Sequence, residues 1–127
     1  MMVTVVLLNS LPLNALDWFS NTVYTIIVRK FSTRELREYI KFLKKEGLSV
    51  TIKCYIRHKA TVELLKKILG VDIEVSSELY EYPGMHSDHI IFVITLKRPV
   101  RGQEVDNITE SDIDIFKVIP LEGDWVK

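Results

Sequence analysis

The run VTVVLL, Val3–Leu8, is the feature that most constrains how this chain can fold. Its residues are β-branched or aliphatic, and they lack the polar alternation of a strand with one face in water. Asn9-Ser10 and then Pro12 stop the run. A strand of this kind has to be covered on both faces. The run therefore predicts a central strand of an α/β protein, with helices packed on its sheet.

Two segments have the apolar spacing of amphipathic helices. The clearer one follows Ser32, which predicts a capping box with Glu35, and it ends near Gly47. The other covers about His58–Leu69 and ends at Gly70. The residues expected to face the core are Leu36, Tyr39, Ile40 and Leu43 in the first helix, and Val62, Leu65, Ile68 and Leu69 in the second.

The remaining apolar runs predict the other strands of the sheet. They are Val23–Phe31, Leu79–Tyr82, His89–Lys97 and Ile113–Pro120. Leu48–Ile56 alternates roughly and leaves strand or helix open, while PGMHSD predicts a hairpin turn before His89 and Thr109–Asp112 a short helix. The fold class predicted is α/β: one domain over residues 1–127, with a mixed β-sheet of about five strands flanked by helices.

Charge and cysteine content narrow the possible partners and compartment. Seventeen basic and seventeen acidic side chains cancel, which argues against nonspecific binding of duplex nucleic acid over a whole face. A single local patch for a small anion remains possible. The one cysteine, Cys54, cannot form an intrachain disulfide and lies in a strand-like run, as expected in a reducing cytoplasm. The apolar run Val5–Leu8 is too short for a membrane span.

Few recognisable chemical motifs are present. The sequence has no glycine-rich phosphate loop, no paired CxxC and no GxSxG. His86, Asp88 and His89 in HSDH are metal-ligand types. They fall in a predicted hairpin turn, where short polar residues occur in any case, and no fourth ligand is evident. We therefore expect no metal and no cofactor.

The stretch IRHKATVELLKKILGVDI, Ile56–Ile73, places His58 between Arg57 and Lys59 where a helix begins. Free amides and the positive end of the helix dipole attract phosphate there, and a histidine can donate a proton at neutral pH. Thr61 could supply a hydroxyl. The local pattern alone is more typical of a solvated helix start, and both interpretations stay open at this point.

Three stretches together resemble a known family. LLNSLPLNAL near the start, the Ile56–Ile73 stretch, and a strand ending in LKRPVRG are similar to the viral ring nucleases, anti-CRISPR proteins of archaeal viruses. The resemblance covers most of the chain. It implies a homodimer that encloses cyclic tetra-adenylate, the second messenger of type III CRISPR immunity. It also implies cleavage without a metal, by attack of a ribose 2′-hydroxyl on the adjacent phosphorus, in the cytoplasm of the host.

The resemblance assigns roles residue by residue. His58 matches the catalytic histidine, which protonates the departing 5′-oxygen. Arg98 matches a phosphate-binding arginine at a strand end, and Thr61 the threonine at the helix start. Asn9 matches the asparagine after the first strand, and Asn14 a polar position in the following loop. Arg57 and Arg101 are added as further candidates for binding the anionic ring.

The chain departs from the family pattern at several positions. They are Pro12 for a serine, Arg57 for the glycine before the histidine, Ala60 for a small hydroxyl residue, and Ser77 for an arginine. The largest departure is Arg101, in RPVRG, where the family has an acidic residue. Glu104 is near in sequence and could replace that carboxylate through a shifted loop. The change to Arg101 would weaken cleavage and strengthen binding of the ring.

Three hypotheses follow for the function. The first is a ring nuclease with His58 as general acid. The second is a protein that captures a cyclic oligonucleotide without cleaving it, as the loss of the carboxylate suggests. The third is an interaction protein that blocks a CRISPR complex or another host factor, with Trp18, Phe19 and Trp125 as an aromatic patch. Cleavage of the ring would support the first hypothesis. Binding of the ring without cleavage would support the second, and neither cleavage nor binding would support the third.

Overall fold

A computed structural model describes residues 1–10, 24–71, 73–80, 88–97 and 108–122 of the chain. These residues form one six-stranded sheet and two α-helices. The strands are β1 Met2–Leu8, β2 Tyr24–Phe31, β3 Ser49–Cys54, β4 Glu74–Val75, β5 His89–Leu96 and β6 Ile113–Glu122. The helices are α1 Thr33–Lys45 and α2 Lys59–Leu69, and a 3-10 turn covers Glu110–Asp112.

The sheet is mixed, and its order is β2-β6-β5-β1-β3-β4. Parallel pairing joins β1 to both β3 and β5, and β3 to β4, whereas β6 is antiparallel to β5 and β2. The carboxyl ends of β1, β3 and β5 therefore lie at one edge of the sheet, which we call the carboxyl edge. Ligands of open α/β sheets usually bind at this edge.

The predicted central strand is confirmed. β1 lies between β3 and β5, and its last four residues are buried. Val5 and Leu7 pack in one cluster with the helices, while Val6 and Leu8 belong to a second cluster on the opposite face. This explains why the run has no polar alternation: water reaches neither face of the strand.

Helix α1 is fixed by the predicted capping box. The Ser32 hydroxyl accepts from the Glu35 amide at 3.0 Å, and the Glu35 carboxylate accepts from the Ser32 amide at 3.0 Å. This arrangement holds the pKa of Glu35 below its usual value, chiefly because the carboxylate accepts from the Ser32 backbone. Leu36, Ile40 and Leu43 are buried as predicted, so the helix stripe packs on the sheet.

The centre of the larger cluster is aromatic. The ring of Phe92 on β5 lies 5.2 Å from that of Phe31 and 5.8 Å from that of Tyr39, both edge-on. Phe92 is fully buried. Edge-to-face contacts of this kind add about 0.5–1.5 kcal/mol each beyond area burial. The cluster joins β2, α1 and β5, and thereby locks the first helix onto the sheet.

The predicted strand at Leu79–Tyr82 is wrong in its described part. Leu79 and Tyr80 are not in a strand, and the two neighbours of β5 are β1 and β6, so no hairpin arm pairs with it there. The edge strand is instead Glu74–Val75. Tyr80 is buried because it packs across the sheet face in the second cluster. The predicted strand-or-helix ambiguity at Leu48–Ile56 resolves as strand β3.

Other predictions on this part of the chain are confirmed. Helix α2 buries its expected inward residues, and Gly70 ends it in the left-handed conformation with φ of 63°. The short helix near Thr109 is the 3-10 turn. Within the described residues, neither helix is long and apolar enough to cross a bilayer. The sequence also predicts a connection between the first two strands over residues 13–21, and these residues lie outside the described part of the chain.

Candidate functional site

The carboxyl end of β3 leads directly into the start of α2. After Cys54 the Tyr55 amide still donates to the Leu7 carbonyl at 2.9 Å, which prolongs the pairing with β1. Ile56 is 1% exposed and anchors the segment in the core. His58 follows as the N-cap residue of α2, with φ of −70° and ψ of 108°. The predicted place of His58, at a helix start, is therefore confirmed, and it lies at the carboxyl edge.

The start of α2 lacks an ordinary side-chain cap. Serine, threonine, aspartate or asparagine usually accepts from an amide of the first turn, but the His58 side chain makes no such bond. The His58 carbonyl accepts from the Val62 amide at 3.1 Å, which is the first intrahelical bond. The earlier amides of the turn belong to Lys59, Ala60 and Thr61. Donors at an uncapped helix start, together with the positive dipole end, favour an anion.

The imidazole of His58 is held from within its own helix. Its Nδ1 lies 2.8 Å from Oγ1 of Thr61, three residues along. Thr61 is 3% exposed and is the only buried polar side chain among the described residues. The other ring nitrogen, Nε2, has no appreciable contact with solvent and no partner in the described chain. Leaving such a group unpaired costs about 1–3 kcal/mol, a cost that a bound acceptor would remove.

The expected role of Thr61 as a ligand contact stays a prediction, and in the structure its hydroxyl has a different neighbour, His58. Its hydroxyl is turned to the His58 ring and is almost fully buried. Sequence reasoning missed the pair, although a spacing of three residues on a helix places two side chains on one face. Within the described chain, the contact of Thr61 is with the histidine.

Arg57 has a contact that the sequence did not suggest. Its side chain is exposed, and Nη2 donates to the Ser77 carbonyl at 2.9 Å. This bond ties the segment after β4 to the start of α2. A guanidinium has five N–H donors, so the rest of the group can still bind phosphate. Ser77 thus takes part in the site through its backbone, at the position where the resemblance leads one to expect an arginine.

Of the other proposed site residues, the structure describes one and leaves three outside the described part of the chain. Asn9 directly follows β1 and is exposed, and the β1–β3 register, with Leu7 opposite Cys54, puts it at the carboxyl edge near the start of α2. Asn14, Arg98 and Arg101 lie outside the described residues, as does Glu104, and their roles stay predictions. The last described residue before Arg98 is Lys97, whose Nζ lies 3.9 Å from the Asp114 carboxylate.

A groove of about 850 Å³ lies beside the start of α2 but does not include His58. It runs between α1, α2 and the segment before β6. The residues that line it are Arg37, Lys59, Ala60, Glu63, Leu64, Lys67, Ile68, Ile108, Thr109 and Glu110. Both acidic and basic side chains line it, and Arg37 lies 3.9 Å from Glu110. The groove contains no histidine, so His58 remains the candidate for proton transfer near neutral pH.

The HSDH segment gives no metal site in the described chain. No group of three possible metal ligands occurs among the described residues, and His86 lies outside them. His89 Nδ1 is instead 3.1 Å from the Tyr80 hydroxyl, and the two ring centroids are 5.9 Å apart with the rings tilted by 31°. Burial lowers the pKa of His89, and nearby Lys53 lowers it further, against a smaller opposing effect of Asp88. His89 thus contacts Tyr80, which belongs to the second cluster.

The lowered pKa of His89 predicts a loss of stability in mild acid. The unfolded chain, with an ordinary histidine pKa of 6.5, binds the proton before the folded chain does. The contribution of His89 is therefore complete above that value and falls as the pH drops toward the folded pKa. We expect urea unfolding of the wild type at pH 7.5 and 5.5 to show a larger loss than that of His89→Gln. Equal losses in the two proteins would contradict this cause.

Comparison with known proteins gives a fold and no family. No protein-family model matches the chain, and no curated protein matches its sequence. The chain shares its fold with B116 of Sulfolobus turreted icosahedral virus. The TM-score is 0.59 over 91% of this chain and 98% of B116, with 16% sequence identity. At this identity the likeness establishes the α/β architecture and leaves the activity to be argued from the site.

Proposed function

We propose that this chain is a metal-independent ring nuclease that cleaves cyclic tetra-adenylate and so suppresses type III CRISPR immunity. The observation that supports this most is His58: it begins α2 at the carboxyl edge, and its Nε2 has no partner among the described residues. A proton donor beside an uncapped helix start fits a phosphodiester, because one group binds the charge and the other protonates the leaving oxygen.

The proposed reaction needs only groups of the ligand and the protein. The ribose 2′-oxygen forms a bond to the adjacent phosphorus, and the bond from phosphorus to the 5′-oxygen breaks. The 2′-hydroxyl proton passes to water, and the Nε2 proton of His58 passes to the 5′-oxygen. The product end is a cyclic 2′,3′-phosphate. Holding the 2′-oxygen in line with the leaving oxygen is expected to supply much of the rate.

Local charge supports binding of the ring. Arg57 and Lys59 flank His58 and are both exposed, while the chain as a whole has no net charge. Attraction is therefore confined to one part of the surface, as suits a small anion better than a long nucleic acid. Arg98 and Arg101 are proposed to complete the phosphate contacts. Because Nε2 is covered in the free chain, the atoms over it have to move aside when the ring binds.

A homodimer is part of the proposal. Cyclic tetra-adenylate is symmetric, and a two-fold assembly would present one His58 to each of two opposite phosphodiesters. Two cuts would then give two linear di-adenylates. The fold shared with a protein of an archaeal virus supports a viral origin, and action on a host messenger would place the protein in the host cytoplasm.

Capture without cleavage is the second candidate. Arg101 stands where the resemblance implies a carboxylate, and if that acid orients the ribose or accepts its proton, this chain lacks its help. A third arginine near the ring would at the same time strengthen binding. The same scaffold would then act as a sponge for the messenger.

The test is incubation of the purified chain with labelled cyclic tetra-adenylate and excess EDTA, followed by separation of the products. Linear di-adenylate is the expected result. Intact ring retained with the protein on a filter would reject cleavage and establish capture. Intact ring that is not retained would reject both, and would leave a protein partner as the target.

A further inference from the structure

The hydroxyl of Thr61 makes one hydrogen bond in the described chain. Its only hydrogen-bond partner there is Nδ1 of His58, at 2.8 Å, although helical threonines often donate to a carbonyl one turn back. The side chain is 3% exposed, so water cannot take its proton readily. A buried donor without an acceptor destabilises the fold, because it gives up its hydrogen bonds to water and gains none in return. The arrangement that avoids this cost is one in which the Thr61 O–H donates to Nδ1.

This direction of the bond decides where the neutral ring holds its proton. A neutral imidazole has one N–H and one accepting nitrogen. If Nδ1 accepts from Thr61, the proton is on Nε2. We propose that Thr61 is a positioning residue, which fixes the His58 ring so that Nε2–H is the group presented to the ligand phosphate. The inference rests on the proposed function for its consequence in cleavage, but the ring state itself can be measured without any ligand.

The hydroxyl also suits the charged ring. When His58 is protonated on both nitrogens, Nδ1–H donates and the Thr61 oxygen accepts, after rotation of its own proton. The ring can then lose the Nε2 proton to the 5′-oxygen while Nδ1 stays bonded. Valine in place of Thr61 keeps the branched shape and removes both functions. Serine keeps the hydroxyl and removes only a methyl group.

The first measurement is ¹⁵N NMR of the imidazoles at about pH 8.5, some two units above the ordinary histidine pKa. The chain has three histidines, and His58→Gln identifies the signals of that ring. We expect the wild type and Thr61→Ser to show His58 with its proton on Nε2. Thr61→Val should give a mixture of the two tautomers, and Thr51→Val, a change on β3 outside the site, should leave the wild-type spectrum.

The second measurement is single-turnover cleavage of cyclic tetra-adenylate across pH. General acids contribute about 10²–10⁴-fold to rates, and loss of alignment in Thr61→Val should remove about ten-fold of this. Binding should remain within about two-fold, and Thr61→Ser should restore most of the rate. A change in the pH profile with Thr61→Val, and none with Thr51→Val, would separate positioning from general packing.

The outcomes separate the two proposals. A wild-type ring with its proton on Nδ1, or a Thr61→Val spectrum identical to that of the wild type, would overturn the role of Thr61 whatever the activity. The expected tautomers without any cleavage by the wild type would reject the nuclease and leave Thr61 as the residue that orients His58 for binding. A wild-type ring with its proton on Nδ1 would overturn the role of Thr61 even if Thr61→Val does not fold.

Discussion

Replacement of His58 by alanine is expected to slow cleavage of cyclic tetra-adenylate by about 10²–10⁴-fold, the usual contribution of a general acid. The poor leaving group, a 5′-alkoxide, would then depart without a proton. Binding should survive, because Arg57, Lys59 and the first-turn amides of α2 remain. The measurement is single-turnover cleavage with excess protein and EDTA, with filter retention of the ring measured in parallel.

His89→Gln is the matched control for this variant. His89 is also a partly buried histidine with a hydroxyl at Nδ1, but its partner is Tyr80 in the second cluster. Its replacement should leave the cleavage rate within about two-fold, since its partner Tyr80 is not one of the proposed site residues. Equal rates for wild type and His58→Ala would remove His58 from the chemistry. Loss of binding together with cleavage would make it a ligand contact first.

Phe92→Ala is expected to lower the free energy of unfolding by about 3–5 kcal/mol, the range for a large aromatic side chain removed from a packed core. Phe92 is fully buried and meets Phe31 and Tyr39 edge-on. Small domains have about 5–15 kcal/mol in all, so the variant should unfold at a much lower urea concentration. Urea titration followed by far-UV circular dichroism measures the difference.

Phe42→Ala provides the comparison at an exposed phenylalanine. Phe42 lies on α1 with 54% of its surface exposed, and its loss should change the free energy of unfolding by no more than about 0.5 kcal/mol. A small effect of Phe92→Ala would mean that the cluster is loosely packed and can close over the lost ring. Equal effects of the two variants would contradict the assignment of Phe92 to the core.

Much of the fold could be predicted because its elements are locally marked. The uninterrupted run of β1 indicates burial on both faces, and the Ser32–Glu35 capping box fixes the start of α1. Gly70 marks the end of α2. In each case the residues that carry the sequence signal are the residues that form the local structure. Tertiary packing therefore does not change the predicted element.

The edge of the sheet could not be predicted in the same way. β4 has two residues, Glu74–Val75, both exposed, and no periodicity can be seen over so short a stretch. The run at Leu79–Tyr82 has strand-forming residues, yet Tyr80 is used to cover the sheet face rather than to extend it. Strand propensity describes how well a side chain fits a pleated, half-buried surface. Tyr80 has this propensity but packs against a face of the sheet without being part of a strand.

The candidate site also has parts that could be predicted from the sequence and a part that could not. Sequence and resemblance placed His58 at a helix start, and the structure confirms that location. The His58–Thr61 contact follows helical spacing and was within reach of sequence reasoning. The bond from Arg57 to Ser77 joins residues twenty positions apart. It depends on how β4 returns beside β3, which no local pattern specifies.

Because Cys54 is buried, a spectroscopic label can be attached selectively to a cysteine introduced elsewhere in the chain. Cys54 is the one cysteine of the chain, it is fully buried in β3, and burial raises the pKa of its thiol. Its thiolate is therefore scarce at the pH of labelling reactions. A cysteine introduced at exposed Lys41 on α1 would react in its place without prior removal of Cys54. Electron spin distances between such labels would report directly on whether two copies associate, and in which orientation.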